Sequence, residues 1–517
     1  MKSLLLALTA AALSVAPLGA QALSAGPEIH LLSAPFGNVY ESSIAAAADG
    51  SFLAVWQGGL GQIVVRPFSP SDTPLLAVER QVSSSAGQDL PLAPRAAALA
   101  SGRYVVGWTV EHRVSSHLFE LRTIVRIVDS TGQPVSGEIL VSTTEDPGMG
   151  FYHLPVVDLA AEPTGGFVVA WEQQALGTIL AQRFDAAGSP AGPQVTVSDH
   201  GILPSVAALP GGGFAVAWFN GEPVLRLFRP DGLPATPETR VADPLAQFGG
   251  APYISADATG RLVVAWSEHP ADAFPFVPTW WVRARRFGPD GQPLSPPLVV
   301  AATNGGSRGL VAADVAARPS GSFLVTWWEF NTVTGGPDFD PHYFGDVFAR
   351  AFEASGLPLG DAFLVHTSTK GEQYPGEAAP TPGGWIVSWT RQLELAGFFA
   401  RRFSLVSCGT GAELCLNDRR FRVAVSWLVS PSGAQGDGQP IELTGDTGAF
   451  WFFNPTNTEL LVKILDGRLI NGHFWVFYGS LTNVAFDLTV TDTATGQQRT
   501  YHNPSGTMAS RADTEAF

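Results

Sequence analysis

Acidic, imidazole and aromatic side chains gather in three segments of an otherwise regular, turn-rich sequence. The segments are TVEHRVSSHLFEL, SEHPADAFPFVPTW and WEFNTVTGGPDFDPHYFGD. Such side chains converging on one opening would suit a sugar or a calcium ion. Together with Glu172, which directly follows a tryptophan, they supply the predicted ligand-binding residues. These are Glu111, His112, Glu172, Glu268, His269, Trp280, Trp281, Glu329, Asp338, Asp340, His342 and Tyr343.

Metal and cofactor chemistry has little support in these segments. The run Asp338-Phe339-Asp340-Pro341-His342 lacks the regular oxygen spacing of a calcium loop. We therefore predict no metal site and no cofactor, and keep calcium as an alternative.

Known catalytic motifs are mostly missing. The sequence contains no H-E-x-x-H, no G-x-S-x-G and no phosphate-binding glycine loop. Asp446-Thr447-Gly448 matches the short motif of aspartic proteases, but no second copy exists, so we predict a β-turn there. A glycosidase needs two carboxylates about 5–10 Å apart, which separate loops can supply without any motif. We predict no catalytic residue and keep a carbohydrate-active hydrolase or lyase as the alternative function.

The elements that position these residues belong to a repeat. Seven strings resembling PSVAALPGGGFAVAW end at Trp56, Trp108, Trp171, Trp218, Trp266, Trp327 and Trp389. After a variable loop each copy has a second string such as WVRARRF, and most copies then have a turn and a short apolar run. Four short runs separated by Gly, Pro and Asp predict a four-stranded antiparallel meander. Seven such sheets must stack face to face to bury their surfaces.

The ends of the repeat indicate how the array closes. The seventh copy stops after its third strand at Phe403, whereas the chain begins with an extra strand-like segment, Glu28–Ser33. Pairing of that segment with the last sheet would remove the free edges. We therefore predict an all-β fold, a seven-bladed β-propeller over residues 23–404 closed by an N-terminal strand.

These motifs resemble a known group of proteins. The P-x-V-A-x-x-x-x-G-G-F-V-V-A-W string, followed by A-x-R-F and D-x-x-G-x-P, resembles tandem propeller repeats of secreted bacterial proteins over residues 28–404. The later segments LCLNDRRFRVAVSW and NGHFWVFYGSL are similar to a C-terminal module of exported bacterial proteins, for which the resemblance implies no catalytic residues. Longer alternating strands predict a β-sandwich domain over residues 405–504, followed by a tail at 505–517.

One polar residue of the repeat is predicted to be structural. An arginine occupies the same place in six of the third strands: Arg66, Arg126, Arg226, Arg285, Arg350 and Arg401, with Gln182 in the remaining copy. A ligand rarely contacts every blade identically, so we predict an ion pair or a stack on the recurrent aromatic rings.

The N-terminus and the composition indicate the compartment. Residues 1–22 have one lysine, an apolar run and Ala20-Gln21-Ala22, the pattern of a cleaved signal peptide. Cys408 and Cys415, the two cysteines, are expected to form a disulfide in an exported chain. With a formal charge of −16, nucleic acid is excluded as a partner, and no run is long and apolar enough to span a membrane. We predict a monomeric, non-enzymatic, secreted or periplasmic protein that binds a glycan or an extracellular protein on its long-loop face.

Overall fold

The computed structural model describes most of the chain as two compact units. The described residues are 23–34, 39, 41–59, 61–84, 89–115, 118–146, 157–173, 177–243, 246–248, 250–270, 279–303, 308–331, 345–368, 371–392, 396–405, 412–417, 420–444, 446–493, 495 and 497–517. The larger unit comprises Leu23–Pro358 and Ala362–Leu405, and the smaller one includes Leu359–Asp361 and Val406–Phe517. The predicted signal peptide, residues 1–22, lies outside the described residues. None of the described helices is both long and apolar enough to cross a membrane.

The described strands of the larger unit form seven antiparallel sheets. The chain starts with β1 (Leu23–His30), and the first sheet contains β2 (Ser42–Ala46), β3 (Phe52–Gln57), β4 (Ile63–Phe68) and β5 (Arg80–Gln81). The second contains β6 (Asp89–Ala98), β7 (Tyr104–Arg113), β8 (Phe119–Val128) and β9 (Ile139–Asp146). The third contains β10 (Val157–Ala161), β11 (Phe167–Gln173), β12 (Thr178–Phe184) and β13 (Val195–Ser198).

The remaining sheets of this unit repeat the same order. The fourth contains β14 (Ile202–Ala208), β15 (Phe214–Phe219), β16 (Pro223–Phe228) and β17 (Thr239–Arg240). The fifth contains β18 (Ala246–Phe248), β19 (Tyr253–Ala256), β20 (Leu262–Pro270), β21 (Trp281–Phe287) and β22 (Leu298–Ala302). The sixth contains β23 (Arg308–Ala317), β24 (Phe323–Asn331), β25 (Gly345–Phe352) and β26 (Phe363–Leu364). The seventh joins β27 (Glu372–Thr381), β28 (Gly384–Gln392) and β29 (Gly397–Leu405) to β1.

Local sequence explains the meander within each sheet. In the fourth sheet, Phe214 to Trp218 of β15 are all buried, as expected for a strand covered on both faces. Gly212, in the turn from β14 to β15, has φ of 83°, and its N–H donates to the Leu209 carbonyl at 3.0 Å. A side chain at that backbone conformation would be strained, which explains the glycine in this turn.

The N-terminal strand completes the last sheet. β1 pairs antiparallel with β29, with Glu28 opposite Arg401 and His30 opposite Phe399. The predicted bounds, Glu28–Ser33, were wrong: the strand extends back to Leu23 because β29 continues to Leu405 and offers it a partner. Beyond β1, the Leu31 N–H still donates to the Phe398 carbonyl at 2.9 Å.

The sheets pack around a common axis as a β-propeller. The first strands of successive sheets contact one another in chain order, and β27 contacts β2. The seven recurrent tryptophans are 4% exposed or less. Cores shared between neighbouring sheets contain Trp56, Trp108, Trp171, Trp218, Trp266 and Trp327. One such core combines Ile29 and Leu31 from the N-terminal segment with Phe52 of the first sheet and Phe398 of the seventh.

The recurrent arginines join neighbouring sheets. In the fourth sheet, Arg226 Nη1 donates to the Val197 carbonyl of the third sheet at 3.0 Å, and its guanidinium lies 5.6 Å from the Phe228 ring centroid. Arg66 Nη1 likewise donates to Leu31 O at 3.0 Å, which ties the first sheet to the segment that follows β1. The predicted stacking is present, and hydrogen bonds to carbonyl groups outside the arginine's own sheet, which the sequence did not predict, accompany it.

The smaller unit contains two five-stranded sheets. One has β30 (Glu413–Leu416), β31 (Phe421–Val429), β32 (Ala434–Asp437), β37 (Ala485–Asp492) and β38 (Gln498–Asn503). The other has β33 (Gln439–Thr444), β34 (Thr447–Trp451), β35 (Leu460–Asp466), β36 (Phe474–Ser480) and β39 (Ser510–Asp513), with a short helix α1 (Arg468–Asn471). Both sheets contribute to one apolar core. Cys415 lies on β30, but Cys408 is outside the described residues, so the disulfide stays a prediction.

Candidate ligand site in the propeller channel

One position of the repeat breaks the alanine-rich pattern of the first strands. It lies thirteen residues before the recurrent tryptophan, or twelve in the seventh sheet, as Ser43 precedes Trp56. We call its occupants the hub residues: Ser43, Arg95, Asp158, Ser205, Tyr253, Asp314 and Glu377. Each lies on the first strand of a different sheet.

The hub residues surround a cavity along the propeller axis, which we call the channel. Its volume is about 630 Å³, and all hub residues except Ser43 line it. At one end it is lined by alanines that close the first strands, among them Ala46, Ala98, Ala161 and Ala208. At the other end Trp328, Tyr374 and Thr390 join the lining.

The two ends of the channel therefore differ in chemistry. The alanine end lies beside the turns that lead into the second strands. The polar end lies beside the connections that follow the recurrent tryptophans, since Tyr374 pairs with Thr390 directly after Trp389. The described parts of the three unusual sequence segments begin at these connections. A volume of 630 Å³ is in the usual range for small-molecule sites, about 300–1,000 Å³.

Most hub residues hold neighbouring sheets together. Five accept a hydrogen bond from a backbone N–H of the next sheet's first strand. The pairs are Ala96 N to Ser43 Oγ at 2.9 Å, Val206 N to Asp158 Oδ2 at 2.8 Å, Ile254 N to Ser205 Oγ at 3.2 Å, Ala378 N to Asp314 Oδ2 at 2.7 Å and Ile44 N to Glu377 Oε2 at 3.4 Å. A first strand has no sheet partner on its inner edge, so these amides need acceptors from elsewhere.

Arg95 and Tyr253 are the two exceptions. Arg95 has no acceptor atom, and the Tyr253 hydroxyl makes no hydrogen bond to any residue that the structure describes. By the pattern of the other sheets, Arg95 would accept from Leu159 N and Tyr253 from Val315 N. These two amides donate instead to Oδ1 of the adjacent Asp158 and Asp314, at 2.9 and 2.7 Å. These aspartates thus use one oxygen for their own strand and the other for the next sheet.

An ion pair crosses the channel lining. Arg95 Nε lies 3.0 Å from Glu377 Oε1, and the two side chains are 25% and 23% exposed because they face the cavity. The other Glu377 oxygen accepts from Ser43 Oγ at 2.5 Å. Arg95 Nη1 donates to the Pro94 carbonyl at 3.0 Å.

Burial dominates the electrostatics of the channel carboxyl groups. It raises the pKa of Asp314 well above its usual range, and the nearby Glu377 carboxylate raises it further. Burial also raises the pKa of Asp158 and of Glu377, although Arg95 opposes both shifts. The phenol of Tyr253 has its pKa raised to about 12, again chiefly by burial.

Aromatic rings line the polar end of the channel. The ring centroids of Trp328 and Tyr374 are 5.3 Å apart, and Trp328 also stacks on Phe330 at 4.8 Å. Tyr374 Oη donates to Glu372 Oε2 at 2.6 Å, and burial together with this carboxylate raises the pKa of Tyr374 to about 12. The two rings are thereby held in place beside the hub residues.

The predicted ligand residues that the structure describes do not line the channel. Glu268 is buried, and its carboxylate accepts from Trp266 Nε1 at 2.8 Å and from Arg283 Nε at 2.7 Å, both in its own sheet. Glu172 is buried between the third and fourth sheets and accepts from Leu203 N at 3.3 Å. Burial raises the pKa of Glu172 to about 7.

The other predicted residues lie on separate sheets. Glu111 and His112 are on β7, and His112 Nδ1 is 2.6 Å from Asp89 Oδ1. The His269 and Trp280 ring centroids are 4.8 Å apart, and the Trp281 ring centroid is 5.2 Å from the Arg283 guanidinium.

Glu329 lies on β24, opposite Asp346. Four predicted residues, Asp338, Asp340, His342 and Tyr343, fall outside the described part of the chain. Ligand binding by all twelve residues therefore stays a prediction.

No group of three or more His, Cys, Asp or Glu side chains that could hold a metal ion occurs among the described residues. The calcium alternative stays untested, because Asp338 and Asp340 are not among those residues.

Sequence reasoning missed the hub residues and the aromatic pair. A signal for the hub position was present: aligning the seven strings on their tryptophans, with one gap in the seventh string, leaves one column that varies between serine, arginine, aspartate, tyrosine and glutamate. No comparable signal marks Tyr374, which reaches Trp328 only through the packing of the seventh sheet on the sixth.

Neither a family model nor a curated protein matches the chain. Among solved structures, a GH43 endo-arabinanase from Bacillus licheniformis is 13% identical, with 62% of this chain and 97% of that chain covered and a TM-score of 0.31. An α-L-arabinanase from Penicillium chrysogenum, complexed with arabinobiose, is 13% identical, with coverages of 59% and 94% and a TM-score of 0.36. A protein of unknown function from Dyadobacter fermentans is 11% identical, with coverages of 74% and 99% and a TM-score of 0.39. At such TM-scores these similarities carry no argument about function.

Proposed function

We propose that this chain is a binding protein outside the cytoplasm, whose propeller takes a small ligand at the polar end of its channel. The observation that carries the proposal is the 630 Å³ cavity itself. Unlike polar side chains from different sheets converge there beside two fixed aromatic rings, the usual composition of a small-molecule site.

The proposal includes a closed ring of seven blades and a C-terminal β-sandwich as a second contact module. Seven sheets among the described residues, the pairing of β1 with β29 and the contact of β27 with β2 support the ring. A core shared by two five-stranded sheets supports the sandwich. The signal-peptide pattern of residues 1–22 supports export to the periplasm or the medium.

Isothermal titration calorimetry with a variant that fills the channel tests this function. Ala251 lines the polar end next to Tyr253, so Ala251→Trp should occupy the site and lower the affinity for any channel ligand by at least about tenfold. Ala186→Trp, at an exposed turn position of the third sheet, is the matched control and should bind as the parent does. A ligand whose affinity is unchanged by Ala251→Trp binds elsewhere and contradicts the proposal.

A hydrolase or lyase is the second candidate, favoured by one observation. Three carboxyl groups with raised pKa, Asp158, Asp314 and Glu377, line the same cavity. A carboxyl group that stays protonated near neutral pH can act as a general acid beside an ionised partner. Against this, both oxygens of Asp158 and Asp314 already accept backbone amides.

A panel of chromogenic glycosides separates the two functions. Turnover by the parent protein that is lost in Glu377→Gln and Asp314→Asn, with melting temperatures retained, would establish the enzyme. Binding without turnover across the same sugars supports the binding protein.

A further inference from the structure

We infer that Arg95 and Tyr253 are the recognition residues of the channel, and that its ligand is a neutral, hydroxyl-rich molecule of the saccharide class. This inference rests on the proposed function and adds the residues and the ligand chemistry. It starts from what the fold requires of each hub residue.

The architecture explains five of the seven hub residues. Ser43, Asp158, Ser205, Asp314 and Glu377 each accept a backbone amide of the next sheet, so a short polar acceptor is needed there whether or not a ligand exists. This need accounts for serine, aspartate and glutamate at the position. It does not account for an arginine or a tyrosine.

Arg95 and Tyr253 leave two amides without their usual acceptor. The aspartates at the next hub positions, Asp158 and Asp314, supply it from their own strands. Only an aspartate can serve both its own amide and that of the next sheet, because it has two acceptor oxygens on a short stem. Each departure from the pattern is thus followed by an aspartate that compensates for it, so Arg95 and Tyr253 are tolerated by the fold without serving it as acceptors.

Arg95 and Tyr253 both line the cavity and have polar atoms without a hydrogen bond to the described residues. Arg95 uses Nε for Glu377 and Nη1 for the Pro94 carbonyl, while Nη2 makes no hydrogen bond to the residues that the structure describes. The Tyr253 hydroxyl likewise has no hydrogen bond within that part of the chain, and both side chains line the channel. The site therefore offers the two N–H groups of Arg95 Nη2 as donors and one hydroxyl that can donate or accept.

The charges around the channel disfavour an anion. Arg95 is the one cation among the described lining residues, and it is already paired with Glu377. An anionic ligand would have to approach the carboxyl groups of Glu41, Asp158 and Asp314 with no free counter-charge. Moving an anion from water into such a site costs more free energy than its hydrogen bonds to the site recover.

A cation is disfavoured by the engagement of the same carboxyl groups. Glu41 accepts from Ala93 N, and Asp158 and Asp314 each accept two backbone amides. A cation would have to share oxygens that already satisfy buried amides. A neutral molecule with hydroxyl groups needs no counter-charge, and its hydroxyl groups can accept from Arg95 Nη2 and exchange a hydrogen bond with the Tyr253 hydroxyl.

The aromatic pair fits the same ligand class. Trp328 and Tyr374 line the channel at the polar end and are fixed 5.3 Å apart. A saccharide ring has hydroxyl groups around its edge and C–H groups on its faces. The edge suits the hub residues, and a face suits an aromatic ring, so one ligand uses both parts of the site.

Calorimetric titration of the full mature chain with two panels of compounds tests the inference. The neutral panel is glucose, galactose, mannose, xylose, maltose and cellobiose, and the charged panel is glucuronate, citrate, phosphate, calcium and spermidine. We expect a neutral saccharide to bind, and Tyr253→Phe to weaken it by about tenfold, since the variant loses only a hydroxyl that has no hydrogen-bond partner among the described residues. Arg95→Lys, which keeps a cation beside Glu377 but loses the guanidinium fork, should weaken it similarly.

Melting temperatures separate recognition from stability. Tyr253→Phe should melt as the parent does. Ser83→Ala removes an acceptor for Ile63 N at 2.9 Å in the first sheet, and neither residue lines the channel. This control should melt lower and bind normally.

The outcomes separate the proposed channel function from the inference about its ligand and recognition residues. If a charged compound binds instead and Ala251→Trp blocks it, the channel function stands and the neutral class is wrong. If a saccharide is blocked by Ala251→Trp but not by Tyr253→Phe or Arg95→Lys, the recognition residues are wrong. If no compound of either panel binds, both proposals fall.

Discussion

At the scale of single residues, similar side chains have different roles according to which buried amides surround them. Asp158 and Asp314 satisfy backbone groups that burial would otherwise leave unpaired. Glu268 has the same function for an indole N–H and an arginine inside one sheet. A carboxylate in this propeller is therefore a candidate for ligand binding only if its hydrogen bonds within the protein leave an oxygen available.

Glu172 makes a pH-dependent contribution to stability that Glu172→Gln should remove. Its pKa of about 7 in the folded protein exceeds the ordinary 4.5, so the folded state keeps a proton that the unfolded chain releases. Stability therefore falls as the pH rises from about 4.5 to 7. The glutamine variant mimics the protonated form and should be more stable than the parent at pH 8, by on the order of 3 kcal/mol, but not at pH 4.

Urea unfolding at both pH values measures this effect. Glu120→Gln, at a half-buried glutamate for comparison, should not reproduce the gain at pH 8. A stability difference between Glu172→Gln and the parent that is independent of pH would contradict the raised pKa.

At the scale of elements, the free edges of the sheets decide what is essential. β1 supplies the fourth strand of the seventh sheet, and Arg66 reaches the carbonyl of Leu31 just beyond it. The same arginine position ties the fourth sheet to the third through Val197. The strand and the arginines thus hold neighbouring sheets together through main-chain groups rather than through side-chain packing alone.

Deleting residues 23–30 should destabilise the whole propeller. The deletion exposes the edge of β29 and removes Ile29 from the core shared by the first and seventh sheets. We expect a melting temperature several degrees lower and faster proteolysis throughout residues 31–405, measured by circular dichroism and limited trypsin digestion. Equal melting temperatures for the deletion and the mature chain would remove the argument for closure.

At the scale of the whole molecule, the chain has two kinds of core. In the larger unit the buried residues form several clusters, each shared by neighbouring sheets. In the smaller unit one cluster draws only on residues between Leu414 and Ala516. Propeller stability therefore depends on all sheets together, whereas the smaller unit has a complete core of its own.

Each unit should fold when produced separately. We expect fragments 23–405 and 406–517 to unfold cooperatively in urea, with dispersed amide signals in their NMR spectra, because each core is contained within its fragment. The two aromatic residues Phe450 and Phe474 are buried in the smaller core, so Phe450→Ala should destabilise fragment 406–517 by about 3–5 kcal/mol. A fragment that fails to unfold cooperatively would show that its core is incomplete.

The periodic part of this protein could be predicted from its sequence. Trp56 and its six counterparts, the turn glycines and the missing fourth strand after Phe403 are local patterns that specify the β-propeller and its extra N-terminal strand. The long connections in the repeat are also visible in the sequence as departures from its period, and ligand binding on their face stays a prediction. The bounds of β1 were not predictable, since they depend on how far β29 extends as its partner.

The identity of the candidate site required the tertiary structure. Arg95, Tyr253, Trp328 and Tyr374 are far apart in the chain and come together because successive first strands converge on one axis. Whether a carboxylate is free or already occupied by an amide depends on neighbouring sheets, as for Asp158 and Val206. The sequence by itself determined the repeat, its turns and its buried tryptophans, because these follow from local periodicity. Only the tertiary structure decided which polar residues of the channel lining keep atoms without a hydrogen bond to the described residues. That property depends on contacts between residues about 50 or more positions apart.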